Sequence, residues 1–264
     1  MTYIGFLAIF LIIPILIFLI ITWRDERNGR IITGFKNGTA VWLGIALHIM
    51  VAVIYTTPWD NYLVATGVWY YNPALVSGVL IGYVPIEEYT FFIVESFLTG
   101  LWWWFLARRI SPPVAFKPSH RMRVTSTMVL VGFWAISAGF LVSGLPSTTY
   151  LAITLTWALL PIGLQLAFGA DILWHHRKLV ALTIFPMTLY LSLADSLAIY
   201  SGTWTISPAQ STRIFIGSLP IEEAIFFLMT NILIGFGLTL LLANESTKRV
   251  VSLSDKMKVR RLIR

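Results

Sequence analysis

Four carboxylates in apolar surroundings are the residues of this chain best placed to do chemistry. They come as two adjacent pairs, in Pro85-Ile86-Glu87-Glu88 and again in Pro220-Ile221-Glu222-Glu223. A charged side chain within a membrane-spanning segment costs about 2.5–3.5 kcal/mol on insertion scales, so two adjacent acids that occur twice are hard to explain by packing. Neighbours on a helix diverge by about 100°. One glutamate of each pair can therefore face the centre of a bundle while the other turns to a neighbouring element. A proline in the first helical turn puts the pair near a helix N-terminus, which favours the ionised form. Burial and an adjacent carboxylate favour the protonated form. A neutral carboxylic acid in an apolar, aromatic pocket is a usable general acid. The competing account is structural, with the pairs capping their helices or lying among headgroups.

Other residues could join them. Asp60 and Asp195 are expected to end the second and sixth helices, where they would bond the glutamates or stay solvated. Phe91-Phe92 and Phe226-Phe227 follow the pairs by one turn. They are either core residues or walls whose π faces meet developing positive charge. Glu95 has Thr230 as its counterpart and stands seven residues after Glu88, hence on the same helix face. His48 stands alone in an apolar helix and reads as a packing residue.

The elements that position these groups are repeated. Shifted by 135, Asp60 falls on Asp195, Gly67 on Gly202, Trp69 on Trp204, Pro73 on Pro208 and Gly100 on Gly235. Across 60–100 and 195–235, 15 of 41 ungapped pairs are identical, which marks an internal duplication. The composition is 57% hydrophobic and 12% charged, about half the charge of a soluble domain. There is no cysteine, so thiolate metal sites, disulfides and redox thiols are excluded.

A spanning helix needs roughly 20 apolar residues. Seven segments qualify, at Tyr3–Trp23, Thr39–Pro58, Val76–Leu106, Val124–Ser143, Tyr150–Gly169, Leu179–Tyr200 and Ile214–Ala243. The first lacks a preceding basic residue and a cleavage pattern, and is read as a retained helix. In the third and seventh, the proline implies a helix beginning at Pro85 or Pro220 after a short segment that dips into or caps the membrane. The net charge of +7 could suggest nucleic acid, but the charges flank apolar segments. With seven helices, 18 of the 19 Lys and Arg fall on one side and only Arg213 on the other, which puts the N-terminus outside and the C-terminus inside. The fold class is thus an all-α membrane protein of seven transmembrane helices, two parallel three-helix repeats joined by an extra helix. The divisions are a first repeat at 1–110, a linker with the fourth helix at 111–148, a second repeat at 149–245 and a basic tail at 246–264 expected to lie on anionic lipid. Trp69 and Trp204 follow a glycine turn and are expected to lay indoles at the membrane interface. Trp102, Trp103 and Trp104 are assigned to the interfacial aromatic belt.

With these residues in view, the chain resembles the lycopene cyclases of the non-flavin membrane class. Two three-helix repeats, each with an Asp, a Gly-x-Trp and a Pro-Ile-Glu-Glu followed by aromatics, carry the resemblance over nearly all of the chain. It looks like the fused form of an enzyme that is two small proteins in many bacteria. The phytoene synthase half of the fungal bifunctional enzymes has no counterpart in these residues. The resemblance implies a non-redox isomerisation of lycopene to γ- or β-carotene. Glu87, Glu88, Glu222 and Glu223, with Asp60 and Asp195, are then the catalytic residues. Phe91, Phe92, Phe226, Phe227, Trp69 and Trp204 line the substrate in one composite site. No metal and no cofactor is expected, and no nucleic acid. The partners are the polyene drawn from the bilayer and other carotenoid-pathway enzymes, in a prokaryotic cell membrane.

Cyclases of C50 or ε-type carotenoids share the motifs. A proton-coupled transporter is the alternative of another class, disfavoured by the aromatic surroundings and the scarcity of other buried polar groups. A Schiff-base photoreceptor is excluded because no lysine lies between Lys178 and Lys248. A membrane protease would need an arginine after the glutamates and paired histidines, and a prenyltransferase would need Asp-rich diphosphate motifs.

Overall fold

A computed structural model describes residues 1–113 and 115–262, with side chains as far as Asp255. Seven of its helices are long and apolar enough to cross a membrane. They are α1 (Tyr3–Arg27), α2 (Thr39–Ala65), α3 (Ile86–Ala107), α4 (His120–Ser143), α5 (Thr149–His175), α6 (Arg177–Tyr200) and α7 (Ile221–Leu242). An amphipathic helix α8 (Asn244–Leu262) follows. The protein is an all-α, multi-pass membrane protein. α3 and α7 are the innermost helices, and large apolar side chains of α1, α2, α4 and α6 cover the outside, as a lipid environment demands. α4 buries almost nothing and packs on α5.

Several helices outrun their predicted ends. α1 continues to Arg27, α2 through Pro58 to Ala65 and α5 to His175, while α6 runs through Pro186 to Tyr200 as expected. Spanning helices tolerate proline when nearby polar side chains re-satisfy the backbone. Beside Pro58, whose missing N–H frees the Ile54 carbonyl, Thr57 and Asn61 donate to the neighbouring carbonyls of Val53 and Thr57, at 2.6 and 3.0 Å. Asp60 and Asp195 are consequently inside helices rather than at their ends, and both are buried.

Each of these helices ends in a Schellman turn. The N–H groups of Gly67 and Val68 donate to Val64 and Leu63, and those of Gly202 and Thr203 donate to Ile199 and Ala198. The motif needs a left-handed residue just past the helix, and Gly67 and Gly202 supply it at φ +71° and +69°. The chain then enters strand β1 (Trp69–Tyr71) or its counterpart β4 (Trp204–Ile206). These two strands pair antiparallel with each other, Trp69 opposite Ile206, Tyr70 opposite Thr205 and Tyr71 opposite Trp204. Tyr70 and Thr205 are 135 apart, so the ribbon is centred on the pseudo-twofold that relates the two copies. This pairing turns the indoles inward. Trp69 is buried and Trp204 half-buried, in correction of the interfacial placement expected from their turns.

Hairpins precede the two inner helices. β2 (Leu80–Ile81) pairs with β3 (Val84–Pro85), and β5 (Phe215–Ile216) with β6 (Leu219–Pro220). The two-residue loops begin at Gly82 and Gly217, both at positive φ as tight hairpin turns require. Pro85 and Pro220 are the extended N-cap residues, and the helices begin one residue later than expected, at Ile86 and Ile221. Proline can end a strand and precede a helix because neither position needs its missing N–H.

At the opposite end, ion pairs tie the bundle. Arg109 meets both oxygens of Asp25 at 2.8 and 3.1 Å, and Arg249 of α8 meets those of Asp171 at 2.6 and 2.9 Å. The start of the basic tail therefore docks on the protein, and the predicted lipid contacts of Lys256 onward lie outside the described side chains. The tryptophan run is also structural in part. Trp103 and Trp104 are fully buried, Trp103 donating to Thr239 at 3.0 Å, so they are core residues and not an interfacial belt.

Gly100 of α3 lies directly against α2. A Cβ there would stand 2.8 Å from Ile45 Cγ1. Overpacking of this kind costs about 1–3 kcal/mol. Gly100→Val is expected to lower the midpoint of thermal unfolding in detergent, and Gly132→Val on open-faced α4 is expected to leave it unchanged.

Candidate active site

The hairpin-to-helix junction separates the two acids of each pair. Glu87 and Glu222 turn back toward the loops, where they accept the backbone N–H of Ser77 at 2.5 Å and of Thr212 at 2.6 Å. Glu88 and Glu223 point into the bundle. Glu88 accepts a hydrogen bond from the hydroxyl of Tyr3, and Glu223 accepts one from Tyr150 at 2.8 Å. All four carboxylates are buried. The N-terminal ends of α3 and α7 stabilise negative charge here, typically by 0.3–1 kcal/mol each and up to about 2 in partly buried geometry.

Tyr3 and Tyr150 stand near the start of α1 and α5. Their backbone N–H groups donate to Leu75 and Gln210, which are again 135 apart. The first helices of the two copies thus correspond with a shift of 147, Thr2-Tyr3 with Thr149-Tyr150 and Pro14 with Pro161. Tyr55 donates to the carbonyl of Trp157 and Tyr190 to that of Phe10, a further pair in the same register. The sequence reading missed these tyrosines because hydropathy alone does not align α1 with α5. The Thr-Tyr dipeptide at each start was the available signal.

Glu88 and Glu223 line one small chamber of about 30 Å³, together with Tyr3, Tyr71, Asp195 and the rings of Trp69, Phe91, Trp204, Phe226 and Phe227. That space holds a single water-sized group. Its walls are close-packed rings. Trp204 lies 4.8 Å from Tyr3 and 5.0 Å from Phe6, and Trp69 lies 5.4 Å from Tyr150, centroid to centroid. Burial first, and the Glu88 charge after it, push the Tyr71 phenol well above its usual value, so it stays a neutral group.

The chamber is not symmetric. Trp204 Nε1 donates to Asp195 at 2.8 Å, whereas Trp69 Nε1 and both oxygens of Asp60 have no hydrogen-bond partner among the described residues. Neither aspartate bonds a glutamate side chain. Phe92 faces a different cavity, which also holds Glu95 and His48, so Glu88 and Glu95 serve separate spaces despite their shared spacing. Glu95 accepts from its own repeat counterpart, Thr230, at 3.2 Å, and His48 Nδ1 lies 2.7 Å from the Gly44 carbonyl oxygen.

Among the described residues, one group has metal-ligand chemistry, His175, His176 and Glu245, with ligand atoms within 4.8 Å of one another. It lies at the far end of α5 from Tyr150, about 37 Å away by helical rise. It therefore takes no part in chemistry at the carboxylate chamber.

Comparisons with known proteins agree on one family. A family model described as lycopene cyclase matches residues 1–106 and 147–242. The lycopene beta-cyclase of Halobacterium salinarum is 40% identical over 199 residues, 75% of this chain and 81% of that protein. The bifunctional lycopene cyclase/phytoene synthases of Sporisorium reilianum and Aspergillus niger are 35% and 32% identical, over 70% and 74% of this chain. The match covers 28% and 34% of those longer proteins. No solved structure matches.

Removing the hydroxyl of Tyr3 or Tyr150 leaves the buried carboxyl of Glu88 or Glu223 without that donor, at a cost of about 1–3 kcal/mol. Tyr3→Phe and Tyr150→Phe are each expected to lower the thermal unfolding midpoint in detergent, and the double variant is expected to lower it further.

Proposed function

The chain belongs to the lycopene cyclase family, and we propose that it cyclises the ends of lycopene to give γ- and then β-carotene. The observation that carries this reading is that Glu88 and Glu223, one from each copy of the motif, line the same aromatic chamber. The reaction needs an acid, a base, and a water-poor surface that tolerates a carbocation, and these residues offer all three. The name of the Halobacterium relative supports the β ring.

The chemistry is an isomerisation, which makes the enzyme an intramolecular lyase. A carboxylic acid adds its proton to the terminal double bond, leaving a tertiary cation. The C5=C6 π bond attacks that cation and closes the six-membered ring, moving the positive charge to C5. Loss of a ring proton to a carboxylate forms the new double bond. One proton enters and one leaves, so no redox partner is required. Glu88 and Glu223 are the acid and base in this reading, held in orientation by Tyr3 and Tyr150. The faces of Phe91, Phe226, Phe227, Trp69 and Trp204 stabilise the cation, since a desolvated cation–π contact is worth about 2 kcal/mol. Asp195, bonded by Trp204 Nε1, is a further carboxyl in the chamber lining, and Asp60 is its buried counterpart on α2. Glu87 and Glu222 position the loops, and Phe92 serves the neighbouring cavity.

We assign 1–110 and 149–245 as the two repeats, 111–148 as the joining segment and 246–264 as a basic tail. The site is composite, with neither repeat complete alone. Substrate and product both stay in the bilayer of a cell membrane, where neighbouring enzymes of carotenoid synthesis would exchange them.

The test is pigment analysis by HPLC in bacteria that accumulate lycopene. The unsubstituted chain is expected to yield γ- and β-carotene. Glu88→Gln and Glu223→Gln should each lower conversion about 10²–10⁴-fold, the usual contribution of a general acid or base. Half the activity remaining after either substitution would instead mean two independent sites. Glu87→Gln and Glu222→Gln should retain most activity, because an amide oxygen still accepts the loop N–H.

A further inference from the structure

The chamber as it stands holds one water-sized group, so a polyene end enters it only by displacing an aromatic wall, and the rest of a long hydrocarbon lies beside it. Only one neighbouring space shares a wall with the chamber among the described cavities. It is a largely apolar cavity of about 190 Å³ between α2, α3, α5 and α7, and the shared residue is Phe226. Below it, a second space of about 520 Å³ runs between α5, α7 and α8, meeting the first at Gln165. On α7 the lining runs from Phe226 through Leu233 and Gly237 to Leu241, a stripe about 22 Å long. Leu47 and Leu164 on its rim are exposed to the surroundings, so the groove opens sideways into lipid.

The duplication provides a mirror of this groove, which has a cavity of similar size but is cut off from the chamber and is closed at its lower end. Gly237 corresponds to Trp102 in the first repeat. Gly237 leaves its stretch of α7 open enough that the His48 ring lies against it, where a Cβ would stand 2.0 Å from Nε2. Trp102 instead fills the equivalent place, stacked 5.3 Å from Phe105 and tilted against Phe18 at 5.6 Å, with its Nε1 donating to the Leu182 carbonyl. The space remaining on that side, bounded by Pro14 and Pro186, is about 230 Å³ and shares no residue with the chamber.

We infer that the two pseudo-symmetric flanks are not equivalent. A rod-like polyene hydrocarbon lies along the α2/α5/α7 groove only, with its reacting end passing Phe226 into the chamber. This inference rests on the cyclase reading of the same site. It makes Phe226 the partition between hydrocarbon groove and carboxylates, braced by Trp59 at 5.9 Å and Trp157 at 6.4 Å. It also implies that the two ends of one substrate react in turn, each after the molecule reverses in the same groove.

Pro161 and Pro14 are equivalent positions on the two flanks, so a matched pair of plugs tests the asymmetry. Pro161→Trp fills the groove and Pro14→Trp fills the mirror. Leu47→Trp, on the rim, plugs the groove from a different helix. Lycopene conversion is measured by HPLC and divided by the amount of protein in the membrane. Pro161→Trp and Leu47→Trp are expected to slow conversion about tenfold or more, equivalent to about 1.4 kcal/mol. Pro14→Trp is expected to stay near the unsubstituted rate. Equal loss from both flanks, or full activity in both groove variants, would overturn the inference; the latter would leave the groove to a lipid acyl chain alone. If the unsubstituted chain leaves lycopene unchanged, the cyclase reading falls and takes the groove's occupant with it.

Discussion

Everything in this bundle answers to the need to keep carboxylates in a place without water. A buried carboxylate is costly unless its oxygens find donors and its charge meets a favourable field, and without them the neutral acid is favoured. Here the donors are two loop N–H groups and two tyrosine hydroxyls, and the field comes from two helix N-termini. Each requirement recruits an element. The hairpins bring the loops back over the helix starts, and the Schellman turns direct β1 and β4 toward each other. The first turns of α1 and α5, bonded to the same loops, deliver the phenols. The aromatic walls then exclude solvent, so the acids stay available to the one space they share.

The twofold arrangement gives the chamber two contributors. Each copy furnishes one inward glutamate, one tyrosine and one half of the β ribbon, and the chamber forms where the halves meet. Fusion in one chain then frees the copies to diverge. Asp195 has an indole partner and Asp60 has none. Glu95 faces Thr230 at matched positions, and Gly237 faces the role of Trp102. A symmetric scaffold holds the acids, and asymmetric substitutions surround it.

The sequence by itself determined the helix count, the duplication at a spacing of 135 and the identity of the acid pairs, because hydropathy and repeated motifs are local properties written along the chain. Other features were beyond it, since they depend on which atoms meet. Glu88 and Glu223 face the chamber while Glu87 and Glu222 do not, a division made by the first-turn rotation of α3 and α7 against the loops. Tyr3 and Tyr150 join the site only because α1 and α5 pack alongside, in a register that hydropathy does not encode. Trp69 and Trp204 turn inward because their strands pair across the molecule, and Trp103 and Trp104 are buried because α3 is central. Covalent order set the inventory; the tertiary structure chose the partners, since burial and hydrogen bonding are properties of contacts between segments far apart in the chain.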